Sequence, residues 1–151
     1  IARPPAFTGG TADTRGNDGG TNDPYTLFTV TGDVIVRMFG VCTVDLAGAT
    51  ATLEVGLTSN TAALLAQTTA TDIDANDIWN DTTPTVRTDT LANITGPHVI
   101  VNGSDILETV ATANITSGNV YYVCLWRPIS RGVAADGTDF TGNVVAAGTQ
   151  I

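Results

Sequence analysis

From Tyr25 to Arg127 apolar residues return at every second position, and that period constrains the fold more than any other feature. A period of two puts alternate side chains on opposite faces of an extended strand, whereas a helix needs apolar residues at i, i+3 and i+4. Residues 49–58 show it most cleanly. Ala51, Leu53, Val55 and Leu57 alternate with Thr50, Thr52, Glu54, Gly56 and Thr58, which predicts one buried face and one wet face. Residues 33–48 carry Val34, Val36, Met38, Cys42, Val44 and Leu46 on one parity and Ile35, Phe39 and Val41 on the other. Apolar residues on both parities predict a strand covered on both sides, with Gly40 as a bend or bulge.

Further strands are predicted over residues 25–31, 98–101, 105–113 and 119–127, and two short ones around the acidic turn 74–77. Residues 84–91 read as an edge strand, because Pro84 opens it and Arg87 and Asp89 lie within it. Ala47-Gly48 and Asn102-Gly103 are placed as hairpin turns. Ser59-Asn60-Thr61 is placed as the cap of one helical turn over residues 62–66. Thr and Val outweigh the good helix formers, and lysine is absent. The expectation is an all-β chain: a single antiparallel β-sandwich, jelly-roll-like, with extended N- and C-terminal arms.

The arms follow from texture. Residues 1–24 hold one Pro-Pro and two Gly-Gly pairs, with Phe7 as the one large side chain, so they are expected to extend from the body at 25–130. Residues 131–151 scatter Phe140, Val144, Val145 and Ile151 without a core of their own, and are expected to be ordered by docking elsewhere.

Charge excludes several classes of partner. Fifteen acidic residues against six arginines give a net charge of −9, which argues against a nucleic-acid surface. No apolar run approaches the roughly 20 residues of a membrane span. The chain opens on Ile1 with no basic-then-apolar signal segment, as a trimmed product would.

Candidate chemistry is sparse. His98 has no second histidine and no nucleophile motif beside it. Asp72, Asp74 and Asn76 begin like a calcium loop, but Asp77 stands where glycine is needed and Thr83 where a bidentate glutamate belongs. This leaves a weak metal candidate beside the alternative of a solvated acidic turn. Cys42 and Cys124 lie mid-strand among apolar neighbours, either as buried thiols or as a disulfide. Tyr121, Tyr122 and Trp126 allow a sugar-stacking platform, although Tyr121 falls on the opposite parity, as in an ordinary buried strand. No enzyme constellation emerges, and no cofactor is expected.

The stretches TLFTVTGDVIVRMFGVCT (26–43), ATLEVGLTSNTAALLAQTTATDIDANDIW (51–79) and GNVYYVCLWRP (118–128) resemble a family of small virion structural proteins of tailed bacteriophages. The resemblance covers roughly residues 25–130 and neither arm. It implies a decoration protein on the capsid exterior, and it brings no active-site residues. The implied partners are the major capsid protein and copies of the chain itself, as a trimer or small symmetric cluster, with no nucleic acid and no membrane. An acidic surface fits an outward-facing protein better than one facing packaged genome. Attachment is expected through Arg3, Pro4, Pro5 and Phe7: a stiff Pro-Pro, an apolar plug and a forked cation. The alternative for that segment is an ordered part of the protein's own fold. Two other classes stay open: an adhesion or carbohydrate-binding module on a tail or fibre, and a surface-layer or filament protein.

Overall fold

The computed structural model describes residues 1–129 and 144–147. Ten strands lie among them: β1 (Tyr25–Thr31), β2 (Val34–Ala47), β3 (Thr52–Leu57), β4 (Asn60–Thr69), β5 (Asp77–Trp79), β6 (Thr85–Val86), β7 (His98–Ile100), β8 (Ile106–Ala111), β9 (Ser117–Pro128) and β10 (Val144–Ala147). One short 3₁₀ turn, Ala70–Asp72, is the sole helical element among the described residues. The chain is all-β with two antiparallel sheets, as the period of two predicts. The first runs β10-β1-β8-β3-β4. The second is built on β2, which pairs β9 along one edge and, along the other, β7 at its N-terminal end and β5 at its middle, with β6 beyond β5.

One parity of β2 builds the core. Val34, Val36, Met38 and Cys42 are buried and join Leu27, Phe28, Leu53, Val55 and Ile106 of the first sheet in a single apolar cluster. Burying such a side chain is worth roughly 1.5–3 kcal/mol, and the sum offsets the ordering of the chain. Trp79 sits at the centre, fully buried, with its edge against Tyr122 at 6.2 Å and its Nε1 donating to Thr68 Oγ1 at 3.0 Å. Gly40 makes room for it: a Cβ there would lie 2.9 Å from Val120 Cγ1 and 3.2 Å from Trp79 Cε3. The register of β2 shifts after Cys42 instead, so Gly40 marks a close approach rather than the bulge expected.

Several local expectations are overturned. Residues 62–66 are strand, not a helical turn, because β4 pairs with β3 and buries Leu64 and Leu65. A five-residue helix has no comparable gain against its nucleation cost. Neither Ala47-Gly48 nor Asn102-Gly103 closes a hairpin; each carries the chain from the second sheet to the first. The wet face predicted for β3 is partly covered, since β3 lies between β4 and β8, and Glu54 is buried with Gln67 Nε2 donating to it at 3.0 Å. The odd parity of β2 is half-buried rather than sealed. The edge strand expected over residues 84–91 is reduced to the two residues of β6, which does lie at the sheet edge.

Residues 1–24 do not extend away from the body. Ala2 exchanges both backbone hydrogen bonds with Tyr122 at 2.9 Å, closing the free edge of β9, and Phe7 N–H donates to Gly118 O at 2.9 Å. Ala2 and Phe7 belong to the core cluster. Gly16, at φ +98°, lets the segment approach β9's lead-in: a Cβ there would sit 2.3 Å from Ile115 O. The expected C-terminal arm falls mostly outside the described residues; its strand β10 pairs with β1.

Candidate functional site

The structure separates the four residues expected to form an anchor. Phe7 is 2% exposed and Pro4 is buried, so neither presents a surface plug; Phe7 already fills a pocket in its own core. The physical reason is a partner invisible in local sequence. Arg15 lies 3.6 Å over the Phe7 ring, donates from Nη1 to Pro5 O at 2.6 Å, and forks onto Glu108 of β8 through Nε (2.8 Å) and Nη2 (2.6 Å). Tyr122 Oη donates to the same carboxylate. Burial works against the Arg15 charge, but Glu108 outweighs it and raises the pKa above the ordinary arginine value. Burial and then Glu108 hold the Tyr122 phenol well above its usual range, so it stays a donor. This is a charge-assisted lock that seats the N-terminal segment.

Arg3 and Pro5 remain exposed, and Arg3 leads to a second feature. Its guanidinium stands 5.0 Å over the Tyr121 ring, on the outward face of the second sheet. The ladder of β2 and β9 places Ile35 opposite Arg127, Arg37 opposite Leu125, Phe39 opposite Val123 and Val41 opposite Tyr121 on that face. Val99 of β7 lies beside Ile35 and is 60% exposed, and Leu125 is 43% exposed. Arg37 donates to Leu91 O at 2.9 Å and Gly96 O at 3.2 Å, drawing the loop between β6 and β7 onto the sheet on either side of buried Ile94. A shallow groove of about 290 Å³ opens between Pro97, Arg37, Leu125 and Trp126. The result is an apolar sheet face fringed by Arg3, Arg37 and Arg127. Among the described residues the one salt bridge is Arg15–Glu108, so these three arginines have no carboxylate partner there.

The remaining candidates are placed as follows. The Asp72, Asp74 and Asn76 side chains are exposed, Asn76 Nδ2 donates to Ala75 O at 2.7 Å, and the Asp77 carboxylate accepts from Asp74 N–H at 3.0 Å. Among the described residues no group of three or more His, Cys, Asp or Glu is disposed to hold a metal ion. His98 is half-buried at the start of β7, and burial lowers its pKa. Cys42 and Cys124 are free: Cys42 faces Val120 on β9, four residues from Cys124, or about 13 Å along a strand and beyond disulfide reach. Tyr122 is buried, whereas Trp126, on the same parity, is 41% exposed where the core ends. Sequence reasoning named the arginines as cations but missed both the lock and the fringe. The parity of Ile35, Arg37, Phe39 and Val41 was the available signal for the latter. Comparison of the chain with family models, curated proteins and solved structures returns no match.

Proposed function

We propose that this protein is a non-enzymatic virion structural protein, a decoration protein that binds the exterior of a tailed-phage capsid and stabilises it by surface contact. The observation that carries the reading is the apolar, arginine-fringed face of the second sheet, set in a chain of net charge −9. Exposed apolar area fringed by arginines that have no carboxylate partner among the described residues is what a protein interface uses, since arginine forks onto carboxylates while the apolar centre excludes water. The resemblance over residues 25–130 supplies the virion context. The finer reading of the fold is a jelly-roll-like sandwich, supported by the apolar cluster shared between the two sheets.

Co-sedimentation with purified particles lacking the protein, followed by an electron-microscopy map, tests this reading. The expected result is density on the outer shell, lost with a Val99→Asp/Leu125→Asp variant that keeps the wild-type circular dichroism. No binding to particles by the folded wild-type protein overturns it. The groove beside Trp126 favours, as a second reading, an adhesion module that stacks a sugar on the indole; a glycan array with saturable, Trp126-dependent binding would select that reading instead.

A further inference from the structure

We infer that Asn102 is a latent deamidation site, which the fold holds closed and which water converts irreversibly once the residues around it part.

Asn102-Gly103 is the one Asn-Gly pair in the chain. Glycine after asparagine leaves its backbone nitrogen open to the side-chain amide, because no Cβ stands in the way. The step conserves atoms. Gly103 N gives up its proton and attacks Asn102 Cγ, the Cγ–Nδ2 bond breaks, and ammonia leaves with that proton, closing a five-membered succinimide. Water then opens the ring at one of its two carbonyls and leaves aspartate or isoaspartate. Asn102 is exposed, so water has a path in and ammonia a path out.

What restrains the reaction is the place of the pair in the fold. Gly103 N–H donates to Gly32 O at 2.9 Å, and Asn102 N–H to Asp33 Oδ1 at 2.8 Å. Val30 N–H donates to Asp105 Oδ1 at 3.0 Å, and Ile129 N–H to Asp33 O at 3.0 Å. These four bonds clasp three places where the chain leaves a sheet: the turn from β1 into β2, the passage from β7 into β8, and the exit from β9. The attacking nitrogen is thus engaged with Gly32, and the peptide plane that must turn toward Asn102 Cγ is pinned at both residues. Attack waits for the clasp to open. The same turn also selects the reactive pair. Asn102 and Gly103 hold φ of +59° and +71°, and a Cβ on Gly103 would meet Val30 O at 3.0 Å. Left-handed backbone favours asparagine and glycine, so the residues the turn needs are the residues that react.

Conversion works against reclosure. Aspartate places a new carboxylate on the residue whose own N–H holds the buried Asp33 carboxylate, and like charges so close repel. Isoaspartate adds a methylene to the main chain and moves Gly103 N off Gly32 O. Either product weakens the clasp, and loss of ammonia makes the change permanent.

Timed incubation of the full chain in mildly alkaline buffer, folded and in urea, tests this by peptide mapping with mass spectrometry. In urea Asn102 is expected to be the first asparagine converted. In the folded chain its conversion is expected to be at least about tenfold slower, since it proceeds only from the opened fraction. The converted chain, separated by anion exchange on its added negative charge, should unfold at lower urea and lose hydrogen-exchange protection at Gly103. Asn102→Gly keeps a residue suited to the left-handed turn and has no amide to lose, so its protection at Gly103 should survive the same incubation. Equal rates in the folded and unfolded chain, another asparagine converting first in urea, or a converted chain with the wild-type urea midpoint and a protected Gly103 would each overturn the inference. Capsid binding enters none of these readouts, so the decoration reading stands or falls separately.

Discussion

Arg15 and Arg127 carry the same side chain into opposite settings. Arg15 is 3% exposed, with its guanidinium divided among Glu108, the Pro5 carbonyl and the face of Phe7. Arg127 is exposed beside apolar Leu125 and Ile35, with no carboxylate partner among the described residues. The first region is closed: every group there was desolvated on folding and found its partner within the chain. The second is open, and its interactions remain to be made. A buried charge is costly to strand, whereas an exposed one costs little to remove. Substitutions in the two regions should therefore report on different quantities, stability in one and association in the other.

The largest expected effect is Arg15→Ala, which leaves Glu108 buried and unpaired and should cost about 3–5 kcal/mol in urea unfolding. Replacing both partners, Arg15→Met with Glu108→Leu, should recover much of that loss. A single substitution costing under about 1 kcal/mol would mean the lock is not closed. Phe7→Ala comes next, at about 3 kcal/mol or more from the cavity it opens. Limited proteolysis provides the check: the wild-type N-terminal segment should resist cleavage while the variant's is trimmed first.

A smaller effect should appear with pH. Burial pushes the Cys42 and Cys124 thiols up from 9.0 to about 11. The unfolded chain therefore ionises first, so stability holds below pH 9 and falls as the pH rises from about 9 to 11. Tyr25 and Tyr122, also raised by burial, act in the same direction. Urea midpoints at pH 8 and pH 10.5 measure the slope, and Cys42→Ala/Cys124→Ala should make it shallower. Equal midpoints in the wild type would contradict the burial of both thiols. The smallest stability effect belongs to the open face, where Leu125→Ser should change unfolding by no more than about 0.5 kcal/mol while weakening particle binding. A large loss of stability there would move Leu125 into the closed class.

The sequence by itself determined the class of structure. The period of two in residues 25–31, 33–48 and 49–58 encodes strands because alternation is a local property of an extended backbone. The edge position after Pro84 was legible because proline removes a donor that an interior strand needs, but the strand there has two residues and not the eight expected. What the sequence left open was partnership. Alternation tells which face a residue shares and not which strand lies beside it. Ala47-Gly48 therefore read as a hairpin although it joins two sheets, and residues 62–66 read as helix until pairing with β3 made them strand. The candidate site divides along the same line. The outward parity of Ile35, Arg37, Phe39 and Val41 was visible, but which of two apolar faces stays uncovered depends on where the other sheet packs. Arg15 looked like one cation in a Gly-rich arm, and only a fold that brings it to Glu108, 93 residues away, could turn that arm into part of the core. Contacts between residues so far apart carry a loop-closure cost that no local pattern records, and the tertiary structure alone decides which of them form.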